Sequence, residues 1–290
     1  MDDYQIFTDA TADLSGDFMK GLPPVEIIPM KVEIGGQEYT YGPFGNIAVK
    51  DFYALQREGN FAVTSQINPT VYNGYFEPCL AQGKDILYLC FSSGMSGTIQ
   101  TAQMCIREVQ NRYPQRKIIC IDTLCASVGE GFLVREASRK QAEGFTLDAL
   151  ARWVEVYRLK VCHWFTVDVF EHLRHGGRVS AASAAMGTVL HIKPLLHVDE
   201  QGKLAVMEKP RGRKKAVNMQ LKRMEQGWMP EMGKSVLIGH GDCPEDARKL
   251  HQAVSMRFPE AEIYVADIGP VIGAHTGPGM LALIYWGNTR

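Results

Sequence analysis

Between residues 91 and 102 the sequence FSSGMSGTIQTA crowds hydroxyls at Ser92, Ser93, Ser96, Thr98 and Thr101 around Gly94 and Gly97, where an apolar run gives way to a helical period. Three chemistries could use such a corner. A hydrolase nucleophile on a strand-to-helix turn takes the form G-x-S-x-G, whose small residues let the serine stand clear of the backbone. Gly94 and Ser96 fit that form, but Thr98 occupies the place of the second glycine, and the base would have to be His240 or His275. A polyphosphate cradle needs a lysine after its last glycine. None follows Gly97, and the dinucleotide fingerprint fails likewise in GEGFLV, where Val134 replaces the third glycine. The remaining chemistry is capture of a small anion. Ser96, Gly97 and Thr98 fall in the first turn of a predicted helix, whose unpaired N–H groups and positive dipole end favour negative charge. With no lysine beside it, the corner suits a singly charged carboxylate, or simple N-capping by Ser96.

Other strand ends repeat the style. VTSQINP, residues 63–69, sets Thr64 and Ser65 before a second predicted helix, while TDATADL and IDTLCASVGEG place Asp9 and Asp122 at the ends of two further strands. Near the C-terminus, DIGPVIGAHTGPGMLAL surrounds His275 and Thr276 with Gly273, Gly277 and Gly279, a composition that lets backbone approach a ligand or another loop closely. That setting makes His275 a better functional candidate than His163 or His251.

The elements that must position these corners follow from periodicity. YQIFTD, DILYLCF and KIICID read as strands alternating with helical segments such as TIQTAQMCIREVQNRY, in which Ile99, Ala102, Ile106 and Val109 share one face. Such alternation predicts an α/β fold with a mainly parallel, Rossmann-like sheet and ligands at the carboxyl ends of its strands. VEIIPMKVEIGGQEY reads as extended around a Gly35-Gly36 turn. After about residue 158 the texture changes: CHWFTVDV is a predicted strand, FEHLRHGGRVSAASAAMGTVL is rich in small residues and partly helical, and KPLLHVDEQGKLAVMEK reads as a hairpin turning at Asp199 to Gly202. We therefore divide the chain into two α/β domains, 1–157 and 158–290, although no Pro- or Ser-rich linker marks the join.

Composition bounds the partners. The 290 residues carry 31 Lys and Arg against 32 Asp and Glu, so no global field draws the protein to nucleic acid or an anionic bilayer. The run KPRGRKK, residues 209–215, lacks the aromatic interleaving of a nucleic-acid patch; it reads as a solvated helix start or as a docking face for an acidic partner. No apolar stretch has membrane-spanning length and the start has no signal-peptide pattern, which points to a cytoplasmic protein. The seven cysteines form no C-x-x-C pair and several lie inside apolar runs, so neither a disulfide framework nor a metal site is expected.

Taken in order, TDATADL, TSQINP, SSGMSGTIQTA, IDTLCASVGEG, HLRHGGRVS, IKPLLHVDEQGKL, KPRGRKKA and IGAHTGPGMLAL resemble the DegV family of bacterial fatty-acid-binding proteins over essentially the whole chain. The resemblance implies a non-catalytic carrier that needs no cofactor or metal. The second domain, with a mixed sheet, closes over the acyl chain of one long-chain fatty acid held between the domains. It implies a separate ATP-dependent fatty acid kinase subunit that phosphorylates the bound carboxylate to an acyl phosphate for phospholipid synthesis. It leaves room for transient membrane contact during lipid exchange, without stable insertion. Carried over motif by motif, Thr64, Ser96 and Gly97 are expected to hold the carboxylate with His275, supported by Ser65, Thr98, Asp9, Asp122 and Thr276. Arg178 and Arg211 are expected toward the opening, available to the kinase.

This chain departs from the family's usual pattern at Ala10, Ile67, Asn68 and Thr123, where serine, proline, serine and serine are usual. Loss of the hydroxyl at Ala10 could weaken the polar network, and Ile67 could alter tail selection. Phe132, Phe165, Met186, Val189 and Leu190 are available as pocket lining or as plain core. Two other readings stay open: a serine-dependent lipid or ester hydrolase with Ser96 as nucleophile and His275 as base, and a lipid-sensing regulatory protein.

Overall fold

A computed structural model describes residues 3–179, 191–288 and 290. The first half runs β1 (Tyr4–Asp9), a 3-10 turn (Ala10–Ala12), β2 (Glu26–Ile28), β3 (Met30–Ile34), β4 (Gln37–Tyr41), α1 (Val49–Arg57), β5 (Ala62–Thr64) and α2 (Pro69–Ala81). It continues with β6 (Asp85–Cys90), α3 (Thr98–Arg112), β7 (Ile118–Asp122), α4 (Val128–Ala142) and α5 (Leu147–Tyr157). The second half opens with β8 (Val161–Thr166), α6 (Glu171–His175), β9 (Leu195–Val198), β10 (Leu204–Glu208) and α7 (Arg213–Gly227). It ends with β11 (Ser235–His240), α8 (Pro244–Arg257), β12 (Glu262–Asp267), α9 (Pro270–Thr276) and β13 (Leu281–Trp286).

Strands β2-β1-β6-β7 form an all-parallel sheet, as the βαβ alternation predicts. The mixed sheet has the order β10-β9-β8-β13-β11-β12, antiparallel throughout except for β11 with β12. The two sheets are thus built from separate stretches of chain, with the turn Arg158–Lys160 between them. A third sheet, β4-β3-β5, is antiparallel and was not anticipated as a separate unit. Its strand β5 has three residues, too few to show a period.

One helix joins the layers. In α4 nearly every residue from Val128 to Ser138 is buried, the mark of a helix covered on all sides. Phe132 at its centre stacks on Phe18 and meets Trp286 edge to face, ring centroids 5.2 Å apart, so one apolar core runs from β6 to β13. Because side chains alternate along a strand, β8 and β13 serve two cores. Cys162, Trp164, Leu281, Leu283 and Tyr285 pack with α7 and α8, while Phe165, Ala282 and Ile284 turn to the α4 side.

Candidate functional site

Between the carboxyl-end loops of the parallel sheet and the α4 side of the mixed sheet lies a cavity of about 850 Å³, counting its open mouth. Its floor is a cross-strand quartet: Phe165 faces Ala282 and His163 faces Ile284 in the β8–β13 register, and all four line the space. Val198 and Leu204, partners across the β9–β10 hairpin, extend this surface. Of the candidate lining residues, Phe165 lies on the wall, Phe132 is core instead because the aromatic stack with Phe18 and Trp286 claims it, and Met186, Val189 and Leu190 lie outside the described residues.

Several polar groups of the wall meet around Thr64. Pairing of β5 with β3 brings Thr64 opposite Val32, and the Thr64 hydroxyl lies 2.9 Å from His275 Nε2. His275 comes from α9, a seven-residue helix in a segment whose glycines suggest only a loop. Packing makes it a helix. Six of its residues are buried, the Tyr53 hydroxyl and Gln56 amide of α1 donate to the Ile268 and Gly273 carbonyls at 3.0 Å each, and Gly277 ends the helix at φ 72°. The second imidazole nitrogen, Nδ1, is buried with no partner among the described residues. Burial, then the neighbouring Arg178 guanidinium, pushes the His275 pKa down to about 4, so the ring is neutral near pH 7.

Ser96 lies on the same wall, one residue before the N-cap Gly97 of α3: its hydroxyl accepts from the Thr98 N–H at 3.2 Å and shares a 2.8 Å bond with the Thr98 hydroxyl. Ser65 and Thr276 also line the wall, although the Thr276 hydroxyl donates to Ile272 O at 3.1 Å. Thr98 and Gly97 stand behind it. Asp122 acts one step back, accepting from the N–H groups of Ser93 and Leu124 at 3.1 and 3.0 Å and so holding two carboxyl-end loops together. Arg178, expected toward the opening, lies on the wall and donates through Nε to Met95 O at 3.2 Å. Arg211 is exposed, away from the lining residues.

Asp9 belongs to a buried acid cluster behind the wall. It accepts from the Thr11 N–H at 3.0 Å and the Tyr88 hydroxyl at 3.1 Å, and the Thr11 hydroxyl sits between Asp9 Oδ1 and Glu130 Oε2. One hydroxyl has one hydrogen. Bridging two carboxylates therefore requires a proton on at least one of them, in line with the upward pKa shift that burial gives both acids. Nearby Asp13 accepts from the Ser127 hydroxyl at 2.7 Å and the Gly269 N–H at 2.9 Å, tying the starts of α4 and α9 together. Burial pushes its pKa up to about 8. A raised folded-state pKa adds stability that is complete below the unfolded value near 4 and is lost as pH rises through 8, at most about 1.4 kcal/mol per pH unit. We predict that thermal melts from pH 5 to 8 show the native protein losing stability relative to Asp13→Asn, whose amide can keep both contacts. Parallel pH profiles would refute this.

The four departures find physical explanations. Asn68 caps α2, accepting from the Val71 N–H at 3.0 Å, a role serine would also fill. Thr123 keeps a hydroxyl that donates to Cys90 O at 2.8 Å. Ala10 and Ile67 are both buried in the apolar cluster that contains Met30 and Val271. Gln66, Thr11, Ser127 and His163 also line the cavity and were not singled out as site residues. Gln66 was visible as part of T-S-Q. Ser127 carries a hidden signal, φ 54° with ψ −144°, backbone space that few side chains adopt.

Comparison with known proteins places these features. Residues 3–288 match the family model described as an uncharacterised protein of the DegV family. The DegV domain-containing protein CPE0026 of Clostridium perfringens is 37% identical over 290 residues, covering 100% of this chain and 99% of that protein. Among solved structures, a DegV family protein from Thermus thermophilus, described for its fatty acid binding, superposes with TM-score 0.86 at 30% identity, over 99% of this chain and 100% of that one. DegV from Bacillus subtilis, described as a fatty acid binding protein, gives TM-score 0.86 at 26% identity with the same coverage.

Proposed function

This chain belongs to the DegV family, and from that premise we propose that it binds one long-chain fatty acid, with the carboxylate at Thr64, Ser96 and His275 and the tail over the β8–β13 floor. The supporting observation is a single cavity whose wall carries both hydroxyl, amide and imidazole groups and an apolar strand surface. Thr64, Ser96 and His275 line it, the first and last in contact, together with Phe165, Ala282 and Ile284. Each methylene removed from water contributes about 0.8 kcal/mol, so a tail of roughly fifteen offers on the order of 10 kcal/mol before the cost of association. The tail supplies affinity. The head supplies orientation, since a buried carboxylate is tolerated only when hydrogen-bonded.

We further propose that the protein presents its ligand to a separate kinase subunit as a carrier and is not itself the catalyst. Ser96 bonds Thr98 and His275 bonds Thr64, so the serine–histidine contact that a hydrolase needs is replaced by two other pairs. Lys209, Arg211, Lys214 and Lys215 are exposed, and none forms an ion pair among the described residues. The β8–β9–β10 register sets this basic stretch at the end of the mixed sheet from which α6 and Arg178 follow, a face suited to an acidic partner. Displacement of cis-parinaric acid by oleate tests the binding reading: saturable displacement supports it, and no binding of either acid rejects it. Arg211→Ala should leave oleate affinity within twofold while slowing acyl phosphate formation with a fatty acid kinase subunit tenfold or more. Loss of oleate binding with unchanged transfer would reverse the assignment.

A further inference from the structure

Gln66 is exposed, yet its side chain is held. Its Oε1 accepts from the Thr101 hydroxyl of α3 at 3.1 Å, which fixes the amide's orientation. The amide lies against Gly97, where a Cβ would stand 2.7 Å from Nε2. Bare backbone at Gly97 is what lets the amide rest there. Gly97 has φ −77°, an ordinary value, so the glycine is needed for space and not for backbone freedom. Gln66 lines the cavity and Gly97 does not.

With Oε1 occupied, the two N–H groups of Nε2 have no partner among the described residues, and Gln66 lines the cavity with Thr64, Ser65 and Ser96. Ordering a free glutamine side chain costs about 1.5–2 kcal/mol. Here Thr101 and Gly97 impose that order before any ligand arrives, the arrangement that favours tight and selective contact. Resting on the fatty-acid reading above, we infer that Gln66 is a specificity-determining residue that donates from Nε2 to the anionic head of the ligand, with Thr101 as its positioning residue. A bond to a charged acceptor is roughly twice as strong as one to a neutral acceptor. Gln66 therefore selects a carboxylate over an alcohol carrying the same tail.

The test is calorimetric titration of the full chain with dodecanoate and with dodecanol. Gln66→Leu keeps the bulk and removes the donors; it should weaken dodecanoate tenfold or more and dodecanol less than threefold. Gly97→Ala, which keeps the amide but pushes it off its seat, and Thr101→Val, which frees it to rotate, should each shift the ratio the same way by a smaller factor. Equal losses for both ligands would mean that Gln66 only braces the loop, and an unchanged ratio would mean that it does not read the head; either result overturns the inference. Native protein that binds neither ligand overturns the fatty-acid reading itself, so the two failures are distinguishable.

Discussion

Ala282→Leu should lower affinity for octadecanoate about a hundredfold while leaving the melting temperature of ligand-free protein unchanged or raised. Ala282 is 2% exposed, faces Phe165 across the β8–β13 pair and lines the cavity. A leucine there projects into empty space and displaces the room of three or four methylenes. At about 0.8 kcal/mol each that is near 3 kcal/mol, or roughly a hundredfold in affinity. Shorter acids, which leave that stretch of floor uncovered, should lose less, so the penalty grows with chain length. Filling a cavity with apolar atoms commonly adds stability when the side chain finds a rotamer. A melting temperature that falls with affinity would mean disruption and not exclusion. A penalty independent of chain length would place the tail elsewhere.

The second large effect concerns the head. Thr64→Val keeps the shape of the side chain and removes the hydroxyl that meets His275 Nε2 at 2.9 Å. His275 Nδ1 already has no partner among the described residues, so the change leaves a buried imidazole with neither nitrogen hydrogen-bonded to a described residue and takes a donor from the ligand. Hydrogen bonds to charged groups are worth about 1.5–3 kcal/mol, which predicts a loss of affinity of about ten- to a hundredfold. The same factor should apply to dodecanoate, palmitate and octadecanoate. This uniform loss contrasts with the length-dependent loss at Ala282, and titrating the three acids against both variants separates head from tail. A Thr64→Val effect that varied with chain length would remove Thr64 from the head site.

Much of this arrangement could be read from the chain alone, for physical reasons that also mark where reading stops. The parallel sheet was legible where an apolar strand is followed by a helix of clear period, as with DILYLCF and TIQTAQMCIREVQNRY. Insertion of β13 between β8 and β11 was not, since it depends on contacts more than a hundred residues apart. Helix α9 was hidden because Gly273 and Gly277 lower local helix propensity, and burial against α1, β3 and β5 overrides it. The hydroxyl-rich corners at Thr64 and Ser96 were legible as capping patterns. Their convergence was legible only through the family's motifs, because nothing local says that β5 and α3 meet. Gln66 illustrates the remainder: its significance lies in Gly97 and Thr101 across the gap, which its neighbours in sequence do not announce. Phe132 and Phe165 look alike as letters, and only the aromatic stack around the former assigns one to core and the other to the wall.

Extraction of the purified protein into organic solvent, followed by quantitative mass spectrometry, puts the cavity's contents to direct trial. Close to one straight-chain fatty acid per polypeptide is expected, falling sharply in chains of sixteen or more carbons when Ala282→Leu is extracted in parallel. Protein that comes through free of fatty acid, and that stays free after incubation with excess oleate, would contradict a lipid-holding role for this cavity.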